Sequence, residues 1–167
     1  MIETRTIRQQ FDRANPSEVA GYAVVFNSPA TVNERGRSFR EVVKPGSLKY
    51  DNLKVLWGHD ANNVLASTEA GTAIATVDST GLHVRIKLPE SALREREAIG
   101  RGDVDSFSFG FETLEDRWDA DTRELHSIRV HEVSIVAWPA YSEAKIQSMR
   151  SVQEMRLLLA QKQALLH

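Results

Sequence analysis

Cysteine is absent from the chain. That excludes disulfides, thiolate metal sites and cysteine nucleophiles, and it permits a reducing compartment. Charge of one sign is lacking as well. A formal net charge of −2 offers no surface for neutralising phosphates, so nucleic acid is not expected as a partner. No apolar run approaches the length of a membrane span, and Met1-Ile2-Glu3-Thr4-Arg5 carries no apolar signal core. The expectation is a soluble intracellular protein. The nine glycines form no phosphate loop, and there is no GxSxG elbow, HExxH pair, His-x-His pattern or internal repeat. No cofactor is expected. What remains is ordinary for one globular domain: 167 residues, 41% apolar and 26% charged, enough to bury a core.

The first two-thirds of the chain reads as strands. Val19–Phe26 is apolar and ends at the turn signal Asn27-Ser28-Pro29. Residues 30–38 are polar and read as a loop, followed by a short strand from Phe39 to Val43. Leu53, Val55 and Trp57 share one side of a strand that ends at Gly58-His59-Asp60. Short strands are expected at Val64–Ala66 and Gly71–Val77, and Leu82–Leu88 alternates with Leu82, Val84, Ile86 and Leu88 inward. Pro89 opens an expected helix over 90–99, stopped by Gly100 and Gly102. A hairpin turn at Asp119-Ala120-Asp121 leads into a long strand, Glu124–Trp138. Residues 142–167 contain neither Gly nor Pro, and Ile146, Met149 and Val152 recur at helical spacing, so a long C-terminal helix is expected there. The division is a β domain over 1–141 and this helix over 142–167, which docks on the same domain or serves an interface.

Ser106-Phe107-Ser108-Phe109-Gly110-Phe111 alternates strictly. As a strand it presents three phenylalanines on one face and two serines and a glycine on the other. The Phe face suits a core. On the small face Ser108 and Ser106 are both candidate nucleophiles, and Gly110 suggests close backbone approach. A serine needs a base. His59, at the end of an apolar strand, can accept a hydroxyl proton and return it to a leaving group, although a histidine at a turn is as readily a structural one held by Asp60. In the long strand, strict parity puts Glu132 on one face with Ile128, Val130, Ser134, Val136 and Trp138, and His131 on the other. A carboxylate among apolar neighbours requires a partner, and a histidinium is such a partner. A β-bulge would exchange the faces of Glu132 and His131. His126, His131 and Glu132 make only a weak metal-ligand set, so no metal site is assigned.

Taken in order, Gly21-Tyr22-Ala23-Val24-Val25-Phe26-Asn27, Phe39-Arg40-Glu41-Val42-Val43-Lys44-Pro45-Gly46, Trp57-Gly58-His59-Asp60, Gly81-Leu82-His83-Val84, Ser106–Phe111 and Glu132-Val133-Ser134-Ile135-Val136-Ala137-Trp138-Pro139-Ala140 resemble the prohead protease family of tailed bacteriophages. The resemblance spans roughly 20–145. It implies an α+β, mainly β fold: a closed β-barrel of antiparallel and mixed strands surrounded by helices, like the herpesvirus capsid maturation protease (assemblin). It also implies a serine endopeptidase that cleaves the major capsid protein and scaffold, and often itself, inside the procapsid in the host cytoplasm. The serine before the Phe-Gly-Phe triplet is the family's nucleophile, which selects Ser108 over Ser106. His59 matches the family histidine and Glu132 the third position, with His131 as the fallback. No arginine stands between Glu132 and Arg150 to support an oxyanion, so backbone N–H groups of Val136–Pro139 are expected to do so. A homodimer or higher oligomer is compatible with this reading. The rival reading is a non-catalytic capsid-assembly module on the same fold, for which no Ser108–His59 contact is required.

Overall fold

The computed structural model describes residues 1–137. Eleven strands and one helix are present among them: β1 (Glu3–Arg8), β2 (Glu18–Val25), β3 (Ala30–Glu34), β4 (Arg37–Val43), β5 (Leu48–Lys49), β6 (Lys54–Trp57), β7 (Asp60–Ser67), β8 (Ala73–Val77), β9 (Gly81–Lys87), α1 (Leu93–Arg101), β10 (Ser106–Asp119) and β11 (Thr122–Val136). The expected C-terminal helix over 142–167, and the domain boundary at 141, lie outside the described residues.

The long strand β11 is the spine of the larger sheet. One edge pairs antiparallel with β10 along its whole length. The other edge receives three short strands in succession, all parallel: β4 at Thr122–Leu125, β5 at Ile128–Arg129 and β6 at Glu132–Ile135. β1 continues the sheet beyond β10, β3 beyond β4, and β7 beyond β6. A second sheet has the order β2-β9-β8. One core is drawn from both sheets, with Val24, Leu82, Val84 and Ile86 from the smaller and Phe107, Phe109, Phe111, Val133 and Ile135 from the larger.

Four expectations are corrected. The sheets do not close into a barrel: the larger ends in β1 and β3, and no backbone ladder joins it to the smaller. Helices do not surround them, because α1 is the one helix among the described residues. Alternation reveals which face of a strand is buried, but closure depends on tilt and register summed over all strands, which no single strand encodes. The loop expected over 30–38 is instead the β3–β4 hairpin, turning at Arg35-Gly36. Residues 30–38 are mostly exposed and carry no apolar alternation to read. The helix begins and ends later than expected, and Gly102, not Gly100, terminates it: at φ +77° its N–H caps the Ala98 and Ile99 carbonyls.

β1 had little apolar signature because two of the three side chains it sets against the phenylalanines are charged, Ile7 being the third. Glu3 and Arg5 sit opposite Phe111 and Phe109. Arg5 grips Glu41 of β4 through two bonds of 2.7 and 2.9 Å. Arg123 of β11 bonds Glu3 at 2.6 Å, Asp116 at 2.6 Å and Glu41 at 3.1 Å. Thr113 donates to Glu3 at 2.6 Å. The network ties β1, β4, β10 and β11 together across sequence separations of up to 120 residues. Burial disfavours the Glu3 carboxylate, yet the Arg123 and Thr113 bonds prevail and hold it below its ordinary 4.5. Burial likewise opposes the Arg123 charge, and the carboxylates overcome it and raise its pKa.

Candidate active site

His59 is placed by a tight turn. Trp57 of β6 pairs with Asp60 of β7, so Gly58 and His59 alone make the connection. Both have positive φ, +62° and +63°. This is the pattern of a type I′ hairpin, which suits right-twisted strands but strains a residue with a Cβ. Two bonds to β11 hold the strained pair: Gly58 N–H to the Ile135 carbonyl at 3.0 Å, and His59 N–H to the Ser134 hydroxyl at 3.0 Å. A non-glycine residue kept at positive φ is a common mark of a functional position. Glycine at 59 relieves the strain and alanine does not. His59→Gly is therefore expected to be more stable than His59→Ala by about 1 kcal/mol, read from urea denaturation midpoints.

The ring of His59 joins two other strands. Its Nε2 lies 2.9 Å from Ser108 Oγ on β10, and its Nδ1 lies 2.6 Å from Glu132 Oε1 on β11. A carboxylate only accepts, so Nδ1 carries the hydrogen and donates it. Nε2 is then left with its lone pair toward the Ser108 hydroxyl. Ser108 is buried, while the His59 side chain is a quarter exposed (25%) and that of Glu132 less so (16%). A hydroxyl, a correctly tautomerised imidazole and a half-buried carboxylate in line can generate an alkoxide-like nucleophile and stabilise the resulting imidazolium.

The position of Glu132 depends on a bulge. Gly110 pairs with Glu132, but Phe111 pairs with Val130, so His131 and Glu132 together occupy one step of the ladder. Strict parity had placed Glu132 with Ile128 and Val130. Instead Ile128, Val130, Val133 and Ile135 all join the core with the phenylalanines. Glu132 and Ser134, opposite Gly110 and Ser108, take the small face of β10. The expected apolar surroundings of Glu132 were therefore misread.

Gly110 also has a different role from the one expected. A Cβ there would lie 2.6 Å from Glu132 Oε1 and 3.3 Å from its Cδ. The space on the strand is filled by the carboxylate of this chain rather than left for an incoming backbone.

The other candidates are engaged elsewhere. The Ser106 hydroxyl donates to Asp105 at 3.0 Å. Asp60 is exposed and accepts from the Asn62 amide rather than holding His59. His131 is exposed, with its Nε2 3.8 Å from Glu112. His126 bonds Glu124 at 3.0 Å. His126, His131 and Glu132 do not converge, and no group of three metal-ligating side chains is found among the described residues. Of the segment expected to stabilise an oxyanion, Trp138 and Pro139 lie outside the described residues.

Ser134 was not singled out from sequence. It is fully buried, accepts from His59 N–H and donates to Glu132 Oε2 at 2.6 Å. The signal was present: two residues beyond Glu132 on a strand is the same face.

A family model described as caudovirus prohead serine protease matches residues 3–157 of the 167. No curated protein and no solved structure matches the chain.

Proposed function

The chain belongs to the caudovirus prohead serine protease family, which makes it a serine peptidase of phage capsid maturation, and from that premise we propose that Ser108 is its nucleophile, His59 its general base and acid, and Glu132 the carboxylate that orients and stabilises the histidine. The observation that carries this reading is the unbroken chain Ser108 Oγ–His59 Nε2 and His59 Nδ1–Glu132, at 2.9 and 2.6 Å, assembled from three strands. A non-catalytic assembly module would have no need to keep it.

The chemistry follows from the hydrogen positions. Ser108 Oγ attacks the scissile carbonyl carbon while its proton passes to His59 Nε2. Glu132, already bonded to Nδ1–H, stabilises the imidazolium. His59 then gives that proton to the departing amine nitrogen, the C–N bond breaks, and an ester to Ser108 remains. Water attacks the ester, His59 takes its proton, and Ser108 leaves with that proton restored.

The substrates we assign are the major capsid protein and the scaffold inside the procapsid, with cleavage of the chain itself. The test is incubation of the purified protein with the phage's own capsid and scaffold proteins, followed by mass mapping of new termini. Discrete cuts that vanish in Ser108→Ala support the assignment. Intact substrates under conditions where the protein is folded overturn it.

Gly110→Ala checks the site from a different direction. The added methyl collides with the oxygen that holds His59 Nδ1. The expected result is a kcat lower by about 10²- to 10⁴-fold, the range of losing an oriented acid–base group, with the fold retained by circular dichroism. Normal kcat would mean that the carboxylate does not need its present position.

A further inference from the structure

Ser134 lies beyond the three reacting groups but touches two of them. Its hydroxyl has a single hydrogen and is fully buried between β10 and β6. One partner, the His59 N–H, is itself a donor, so the Ser134 hydrogen must go to Glu132 Oε2. Both bonds are therefore fixed in direction. One of them engages the carboxylate oxygen that His59 does not use. The other holds the backbone of a histidine kept at φ +63°.

We propose that Ser134 is a positioning residue for proteolysis: its hydroxyl fixes the rotation of the Glu132 carboxylate and, in the same bond network, the turn that carries His59. This rests on the reading of Ser108, His59 and Glu132 given above. If Oε2 lost this donor in a buried site, the carboxylate would have reason to turn toward other hydrogens, and Oε1 would leave Nδ1. The imidazole would then lose both its tautomer and its support during proton transfer. Neither bond reaches the substrate, so the effect belongs to kcat and not to KM.

The test measures initial rates of the full chain against the phage's capsid protein, with melting temperature followed for each variant. Ser134→Ala is expected to lower kcat on the order of 10- to 100-fold, the worth of one hydrogen bond to a charged group, with KM unchanged within about two-fold. Ser134→Thr, which keeps the hydroxyl, recovers most of the rate. In a Glu132→Ala background, Ser134→Ala costs less than in the unaltered chain, because the carboxylate it orients is already gone and only its bond to the His59 turn is left to lose. Should Ser134→Ala fail to fold, Ser134→Cys, of similar shape but a weak donor, carries the same comparison. An equal loss in both backgrounds, an effect confined to KM, or full activity in Ser134→Ala overturns the proposal. Ser108→Ala is run alongside. If it still cleaves, the nucleophile assignment itself falls. If it is dead while Ser134→Ala is normal, only the role of Ser134 falls.

Discussion

Ser108→Ala is expected to lower turnover roughly 10⁴- to 10⁶-fold, because nucleophile and base act as a unit and removing either disables the other. The hydroxyl makes one side-chain bond, to His59 Nε2, so stability should change by no more than about 1 kcal/mol. Loss of activity without loss of fold is the signature to look for in a cleavage assay and a melting curve on the same sample. Ser106→Ala is the internal control. Ser106 shares the small face of β10, but its hydroxyl is committed to Asp105, and turnover should stay near that of the unaltered chain. If Ser106→Ala is dead and Ser108→Ala active, the assignment is reversed. Glu132→Gln should cost less than Ser108→Ala, since the nucleophile and base both survive it.

The second large effect concerns stability. Arg123→Ala removes the hub that serves Glu3, Glu41 and Asp116. Glu41 is 4% exposed and Glu3 lies beside it, so the carboxylates would remain buried with Arg5 as their remaining cation among the described residues and Thr113 as a neutral donor to Glu3. Breaking a buried ionic network in this way costs about 3–5 kcal/mol, measurable by urea denaturation at pH 7. The pH dependence supplies a second check. In the unaltered chain Glu3 titrates below its ordinary 4.5, so its contribution is present above that pH and is lost as pH falls through the depressed folded value. In Arg123→Ala burial acts on Glu3 with less to oppose it, its pKa rises, and protonation on acidification relieves the folded state. The stability gap between the two proteins should therefore narrow from pH 7 toward pH values below 4.5. A gap that is constant or widens would show that Glu3 is not the group being left unpaired.

Legibility varied with the kind of force that shapes each element. β2 was readable as an apolar run ending at a turn signal, and β6 and β9 because apolar side chains alternate along them against one core. β1 was not, since its inward residues include Glu3 and Arg5 beside Ile7, the charged pair stabilised by partners on strands far along the chain. β3 and the start of β4 were read as loop because they are exposed and held by their ladder, not by burial. The closed barrel was an expectation about how strands are joined, and joining depends on all of them at once.

At the site, the residue types and their order along the chain came from sequence alone: a serine on the small face of an alternating strand, a histidine after an apolar strand, a glutamate where a carboxylate needs a partner. These are local properties, set by alternation and by the chemistry of single side chains. Parity left Ser106 and Ser108 open and the family resemblance chose between them; that His59 lies against Ser108, and the side on which Glu132 emerges, were decided by tertiary structure. One extra residue at His131 turns Glu132 onto the face of Ser108, and the pairing of β6 with the end of β11 brings His59 between them. A bulge and a parallel register are outcomes of many strands packing on a shared core, so no single segment of the chain could announce them.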